Sequence, residues 1–248
     1  MSKKYLAAVA AASLVSSVAG AVPYHYVDWQ SINVPGGTAS GVITLPDLST
    51  VTVGLQALNP PIPPGTPGSF ASPSQAGCGT AYWAAGSPSP YISAQVSNRP
   101  PDCDLVALQG GTSTRYVVTL SEAIKDPIMA ILSLGQPGVT TTYDFDSPFD
   151  IVSQGIGFFG GSATALQELA GDILQGNEGH GTIQFIGTFS TFSWTVPTPE
   201  FWHGFTFGIR TTERIEPTDP SVPLPGTLAL LGLGLVGLAA LRAKASAS

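Results

Sequence analysis

Apolar and polar residues alternate along several short stretches of the chain. The alternation is clearest in residues 50–57, 115–120, 142–145 and 205–210. A period of two predicts half-buried strands, with one face against a core and the other in water. Residues 128–134 are nearly all apolar, which predicts a central strand that is covered on both faces.

The alternation changes phase once, between residues 183 and 196. Ile183, Phe185 and Phe189 occupy odd positions, whereas the apolar residues from Phe192 onward occupy even ones. A slip of one residue would turn one of these sets toward water unless the strand absorbs it. We therefore expect a β-bulge or a tight turn near Ser190 and Thr191.

Helical signals are few. Residues 163–170 are the one stretch that could form a short helix, which Gly171 would end. Many short strands joined by Gly- and Pro-rich connections indicate an all-β fold. We predict a single antiparallel β-sandwich with a jelly-roll-like arrangement.

The first 21 residues have the pattern of a secretory signal peptide. Lys3 and Lys4 are followed by an apolar run over residues 6–18, and small residues at 19–21 suit cleavage after Ala21. The run is short and rich in alanine for a membrane span. We interpret residues 1–21 as a signal peptide rather than as an anchor.

The carboxyl-terminal segment contains a second apolar run, of 14 residues from Leu228 to Leu241. A helix of that length is about 21 Å long, against a hydrocarbon core of about 30 Å. Residues 225–227 and snorkelling by Arg242 would extend its reach. We expect a single hydrophobic helix with Arg242 and Lys244 on the cytoplasmic side.

This segment, residues 222–248, resembles the sorting segment of PEP-CTERM proteins. The likeness rests on V-P-L-P-G-T, with Leu224 where the family has Glu, followed by the Gly/Leu run and a basic end. The resemblance implies export, transient anchoring in the inner membrane and processing by an exosortase, often alongside exopolysaccharide or biofilm production. It assigns recognition to Val222, Pro223 and Pro225, and retention to Arg242 and Lys244. An ordinary short tail anchor is the alternative.

The predicted organisation has four parts. The signal peptide precedes a sandwich domain at 22–213, which includes a Pro-rich loop at 59–68. An extended spacer at 214–221 then joins the domain to the sorting segment at 222–248.

The composition narrows the possible partners. Charged residues make up 10% of the chain, and the formal net charge is −7. Such a chain lacks the clustered Lys and Arg that nucleic acid requires. A surface of hydroxyls and amides suits an outward-facing β protein that meets sugars or other matrix components.

The two cysteines, Cys78 and Cys103, fall within the predicted exported domain. In an oxidising compartment they should form a disulfide, worth about 3–4 kcal/mol in the chain-entropy model. A metal site and a redox pair are weaker alternatives, because the thiols are few and widely spaced.

Few residues could support catalysis. The chain has three histidines and no G-x-S-x-G motif. Glu178 and His180 could form an acid–base pair, but their glycine-rich context favours a turn with a solvated histidine. No spacing singles out the two convergent carboxylates that a glycosidase needs.

Asp144, Asp146 and Asp150 are weak candidates for calcium ligands. Alternation places Asp144 and Asp146 on the outer face of a strand, which favours plain solvated acids. We expect no other metal and no cofactor.

Aromatic residues suggest a third possibility, the binding of carbohydrate. Tyr82, Trp83 and Tyr143 are among the candidates, and Trp194 lies on the apolar phase of its strand and should be core. Trp202, beside Glu200 and His203, is the best candidate for stacking on a sugar. A hydrophobic plug at the end of the sandwich is the simpler interpretation of Trp202.

These observations favour an exported, non-enzymatic surface or matrix protein with a structural or adhesive role. By resemblance its partners are an exosortase, the inner membrane transiently, and exopolysaccharide. The alternatives are a lectin-like module that uses Trp202, and an envelope hydrolase that uses Glu178, His180 or the three aspartates.

Overall fold

The computed structural model describes residues 23–33, 37–58, 80–110, 114–198 and 200–214. The chain divides into two units, Met1–Arg214 and Ile215–Ser248, and the described residues all belong to the first. Several predicted features lie outside the described residues: the signal peptide 1–21, the Pro-rich loop 59–68, nearly all of the spacer 214–221, and the sorting segment 222–248 with Val222, Pro223, Pro225, Arg242 and Lys244.

The described residues form fourteen strands and two short 3₁₀ turns, Tyr82–Ala84 and Thr211–Glu213, with no α-helix among them. Accordingly, no helix in this described part could span a membrane. The strands are β1 His25–Tyr26, β2 Asp28–Asn33, β3 Thr38–Thr44, β4 Thr50–Leu58, β5 Val106–Gly110, β6 Arg115–Lys125, β7 Ile128–Leu134, β8 Thr141–Phe145, β9 Phe149–Gln154, β10 Leu166–Leu169, β11 Ile173–Gly176, β12 Gly179–Phe185, β13 Thr188–Thr195 and β14 Glu200–Ile209.

The strands form two antiparallel sheets that pack as a sandwich. The first sheet has the order β1-β14-β7-β12-β9, with β5 also pairing with β14, and the second has the order β10-β11-β8-β13-β6-β4-β3-β2. Within them, β5-β14-β7-β12 and β6-β13-β8-β11 have the strand order of an eight-stranded jelly roll. The predicted all-β, jelly-roll-like sandwich is therefore confirmed.

The apolar run of β7 contributes to two separate hydrophobic clusters. Met129 and Ile131 face the core between the sheets, with residues such as Trp194 and Phe205. The alternate residues Ile128, Ala130 and Leu132 face the opposite side, where the segment 80–105 supplies a cover. Every residue of β7 is buried, which confirms the predicted two-sided strand.

The predicted phase change in β13 is also confirmed. The pairing of β13 with β6 shifts register between Phe189 and Thr191, at the position that the apolar pattern indicated. The bulge allows Phe192 and Trp194 to enter the core, where Phe192 lies 5.2 Å from Phe207 and Trp194 5.2 Å from Phe205 between ring centroids.

The predicted helix at residues 163–170 is wrong. Residues 166–169 form strand β10, which pairs with β11 and adds a hairpin at the edge of the second sheet. Gly171 and Asp172 both adopt positive φ, as a tight hairpin turn requires. Cross-strand pairing thus overrides the high helix propensity of Ala, Leu, Gln and Glu.

Candidate functional site

An open pocket of about 380 Å³ lies at one end of the first sheet. Antiparallel pairing places the end of β7 beside the starts of β12 and β14, so three strand termini meet there. The residues that line the pocket are Tyr82, Ser133, Gly135, Gln136, Phe159, Glu178, Glu200, Phe201 and Trp202.

Two buried carboxylates enter the pocket from neighbouring irregularities in the sheet. Glu178 directly precedes β12, whose pairing with β7 shifts register between Gly179 and Gly181. Glu200 opens β14, whose pairing with β5 shifts register immediately after it. Bulges of this kind redirect side chains at strand ends. The sequence offered no convergent pair of acids, yet the fold brings these two into one pocket.

A buried polar network holds Glu178 in place. The hydroxyl of Ser133 donates a hydrogen bond to Glu178 Oε1 at 2.5 Å, and His180 Nε2 lies 3.5 Å from the same oxygen. On the other side of the ring, His180 Nδ1 is 3.1 Å from the Tyr91 hydroxyl and accepts from the Ser133 amide at 3.3 Å. The hydrogen bond from Ser133 fixes the orientation of the carboxylate, whereas His180 Nε2 makes no hydrogen bond among the described residues.

The backbone beside this network is strained. Ser133 has φ +60° and Glu178 has φ +56°, values that side-chain-bearing residues rarely adopt. Such residues persist where the surrounding structure determines them, and they cluster at functional sites. Gly157 leaves room for the His180 ring, and a Cβ at this position would overlap it.

Glu200 is packed differently from Glu178. Its Oε2 lies 2.8 Å from His203 Nδ1, and both side chains are almost wholly buried. The approach does not have hydrogen-bond geometry, and neither atom has a hydrogen-bond partner among the described residues. A buried carboxylate without a well-placed donor is costly, so the contact with His203 compensates the burial of Glu200 only in part.

Tyr82, Phe159 and Trp202 line one side of the pocket. Phe158 packs behind them against Tyr82 and Phe159, and we call these four rings the aromatic wall. The ring of Tyr82 is 5.7 Å from that of Trp202 and 4.8 Å from that of Phe158, between centroids. Phe159 is 5.6 Å from Trp202. The two phenylalanines are 42% and 46% exposed. Flat, partly exposed rings beside carboxylates can stack on the C–H face of a sugar, while the carboxylates accept hydrogen bonds from its hydroxyl groups.

The structure separates the predicted aromatic candidates. Trp202 and Tyr82 reach the pocket. Trp194 and Tyr143 are fully buried in the core, as predicted for Trp194, and Trp83 packs edge-on against Tyr91 at 4.9 Å. Trp202 also packs against the second hydrophobic cluster, as the predicted hydrophobic plug would, and it lines the pocket as well.

The expectation of a solvated His180 is wrong. This residue is fully buried in β12, where it contacts Glu178 and Tyr91. The glycines around it permit a register shift rather than a flexible exposed turn.

The three aspartates considered for calcium are all exposed. Asp146 accepts from the amide and hydroxyl of Ser193 at 2.9 and 2.7 Å, and from Ser147. Asp144 and Asp150 lie on different strands, β8 and β9. No group of three or more His, Cys, Asp or Glu among the described residues is arranged to hold a metal ion.

The predicted disulfide is described at one end only. Cys103 is not a free thiol. Cys78 lies outside the described residues, so the bridge between them stays a prediction.

Sequence reasoning missed the contributions of Ser133, Phe158 and Phe159. A signal for the phenylalanines was present, since G-F-F-G places two large apolar residues in a tight turn where they cannot reach the core. Ser133 gave no signal, because it lies within the apolar run of β7.

Comparison with known protein families identifies the carboxyl-terminal segment. Residues 221–244 match the family model of the PEP-CTERM protein-sorting motif. Comparison with curated proteins and with solved structures found no match. PEP-CTERM proteins are substrates of exosortase, a membrane processing enzyme, so the motif implies sorting to the cell envelope or surface.

Proposed function

We propose that this exported protein is a non-enzymatic component of the cell surface or extracellular matrix, and that its pocket binds carbohydrate. The observation that carries the proposal is the pairing of the aromatic wall with the two buried carboxylates in one open pocket. In this role the domain would adhere to an exopolysaccharide of the matrix, in keeping with its sorting motif.

The chemistry of the pocket supports a sugar ligand. Sugars offer apolar C–H faces and many hydroxyl donors, and binding sites typically combine apolar walls with a few placed polar groups. Trp202 and Phe159 supply the wall, whereas Glu178, Glu200 and the exposed Gln136 supply polar groups.

Binding to a glycan array tests this function. We expect the wild-type full-length chain to retain a subset of glycans and Trp202→Ala to lose them, because the substitution removes the largest ring of the aromatic wall. Leu48→Ala is the matched control, since Leu48 is 82% exposed in the turn between β3 and β4. Equal retention by wild type and Trp202→Ala would refute a sugar site at this position.

An envelope hydrolase is the second candidate, because Glu178 and Glu200 line the same pocket. Glycosidases use two carboxyl groups on opposite sides of the scissile bond. Mass spectrometry of the retained glycans separates the two functions. We expect their masses to stay unchanged after prolonged incubation, whereas shortened products that disappear with Glu178→Gln would establish hydrolysis.

A further inference from the structure

We propose that the sugar recognised by this pocket carries a free, positively charged amine. This inference rests on the carbohydrate-binding function proposed above and specifies its ligand class. It follows from the charge of the pocket, from the burial of Glu200 and from the aromatic wall.

The first argument is charge. The pocket is lined by two acids, Glu178 and Glu200, and none of its described lining residues is basic. The bases that contact the two acids are buried histidines, His180 at 3.5 Å from Glu178 and His203 at 2.8 Å from Glu200. The arginines contact other residues: Arg99 contacts Asp102, Arg115 contacts Ser193, Arg210 contacts Glu213 and Arg214 contacts Glu122. A neutral sugar needs no such concentration of negative charge, and an acidic one would be repelled by it.

The second argument is the burial of Glu200. Its side chain is 4% exposed, and its Oε2 faces the buried His203 Nδ1 at 2.8 Å without hydrogen-bond geometry. Burial of a carboxylate is expensive unless a donor or a cation compensates it. An ammonium group supplies both the charge and up to three N–H donors, so it satisfies Glu200 better than a hydroxyl does.

The third argument is the aromatic wall. Cations are attracted to the faces of Trp, Tyr and Phe within about 6 Å of the ring centroid. Tyr82, Phe159 and Trp202 line the same pocket as the two carboxylates. The wall therefore favours an ammonium group as well as the C–H face of the sugar ring that bears it.

The test compares oligosaccharides that differ only in the amine. The full-length protein is titrated calorimetrically, at mildly acidic pH and low salt, with glucosamine, N-acetylglucosamine and glucose tetramers of the same linkage. We expect the glucosamine tetramer to bind at least about tenfold more tightly than the acetylated one, the size of a single charge-assisted contact. Added salt should reduce this difference.

Variants then locate the preference. Glu200→Gln keeps the shape of the side chain and removes its charge, and it should abolish most of the preference for the free amine. Glu168→Gln, at an exposed position on β10, is the matched loss of charge and should leave the preference intact. Melting curves verify that both variants fold, and the wild-type comparison stands without either of them.

The possible results are distinguishable. If the acetylated or glucose tetramer binds as tightly as the glucosamine tetramer, the amine is not recognised, although the sugar-binding function survives. If no glycan binds, on the array or in this titration, the proposed function itself fails. Tighter binding of tetralysine than of the glucosamine tetramer would identify a cationic peptide as the ligand and overturn the sugar.

Discussion

The two sheets of the sandwich are built by different rules. In the second sheet, buried residues of β4 alternate with exposed or half-buried ones along the whole strand, and β6 does so over most of its length. In the first sheet, all of β7 and nearly all of β12 and β14 are buried, because the segment 80–105 covers the outer face. The second sheet is thus an ordinary amphipathic surface, whereas the first sheet is an interior layer.

The pocket lies in the interior layer and not on the amphipathic sheet. Side chains on the open face of the second sheet are solvated, so they need no partners. Several polar side chains of the first sheet are buried, so they contact one another, as Ser133, Glu178 and His180 do. The strand pairing shifts register next to Glu178 and Glu200, and these two carboxylates line the pocket.

The largest expected effect tests whether the outer face of the first sheet is a true core. Leu132→Ala should lower the free energy of unfolding by about 2–5 kcal/mol, because Leu132 is fully buried under the segment 80–105. Val117→Ala, a half-buried outward position on β6, should cost about 1 kcal/mol or less. Urea unfolding of the full chain measures both. Equal costs would show that the two sheets are covered alike.

A smaller effect tests the space reserved for the buried network. Gly157→Ala places a methyl group against the His180 ring, and overpacking of this kind costs about 1–3 kcal/mol. The neighbouring Gly155→Ala meets only ordinary contacts with Pro90 at 3.5 Å and should change stability little. Thermal unfolding compares the two, and an unperturbed Gly157→Ala would mean that the ring can move aside.

The same contrast explains how much could be predicted from the sequence. Alternating strands such as β4 and β6 follow from local pattern, and even the bulge at Thr191 was visible as a change of phase. The cover of the first sheet could only be inferred from the continuous apolar run of β7. Which segment supplies that cover depends on contacts between residues far apart in the chain.

The candidate site was predicted only in part. Trp202 stood out by its residue type, and Glu178 with His180 by spacing. The meeting of Glu178 and Glu200 depends on strand order, since β7 separates β12 from β14 and brings their starts to one end. The error over β10 has a related cause, because its short segment gains its strand form from pairing with β11.

The smallest expected effect concerns Asp104, which belongs to the covering segment. Burial, and then the nearby charge of Asp28, raise the pKa of Asp104 to about 6. In the unfolded chain an aspartate titrates near about 3.9. Between these values the folded state holds the proton and the unfolded state does not, so the contribution of Asp104 to stability falls as pH rises through this window. Well above a pH of about 6 the carboxylate is ionised in both states, and its burial lowers the free energy of unfolding by an amount that no longer changes with pH.

Asp104→Asn should therefore stabilise the protein slightly at pH 7 and have little effect near about pH 3, where the carboxyl is largely protonated in both states. Solvent screening keeps the gain small. The measurement is the difference in melting temperature between wild type and variant at the two pH values. Asp150→Asn, at an exposed site on β9, is the control. A gain at pH 7 that persists unchanged at low pH would show that the amide improves packing, and that the cover over the first sheet does not hold a buried acid.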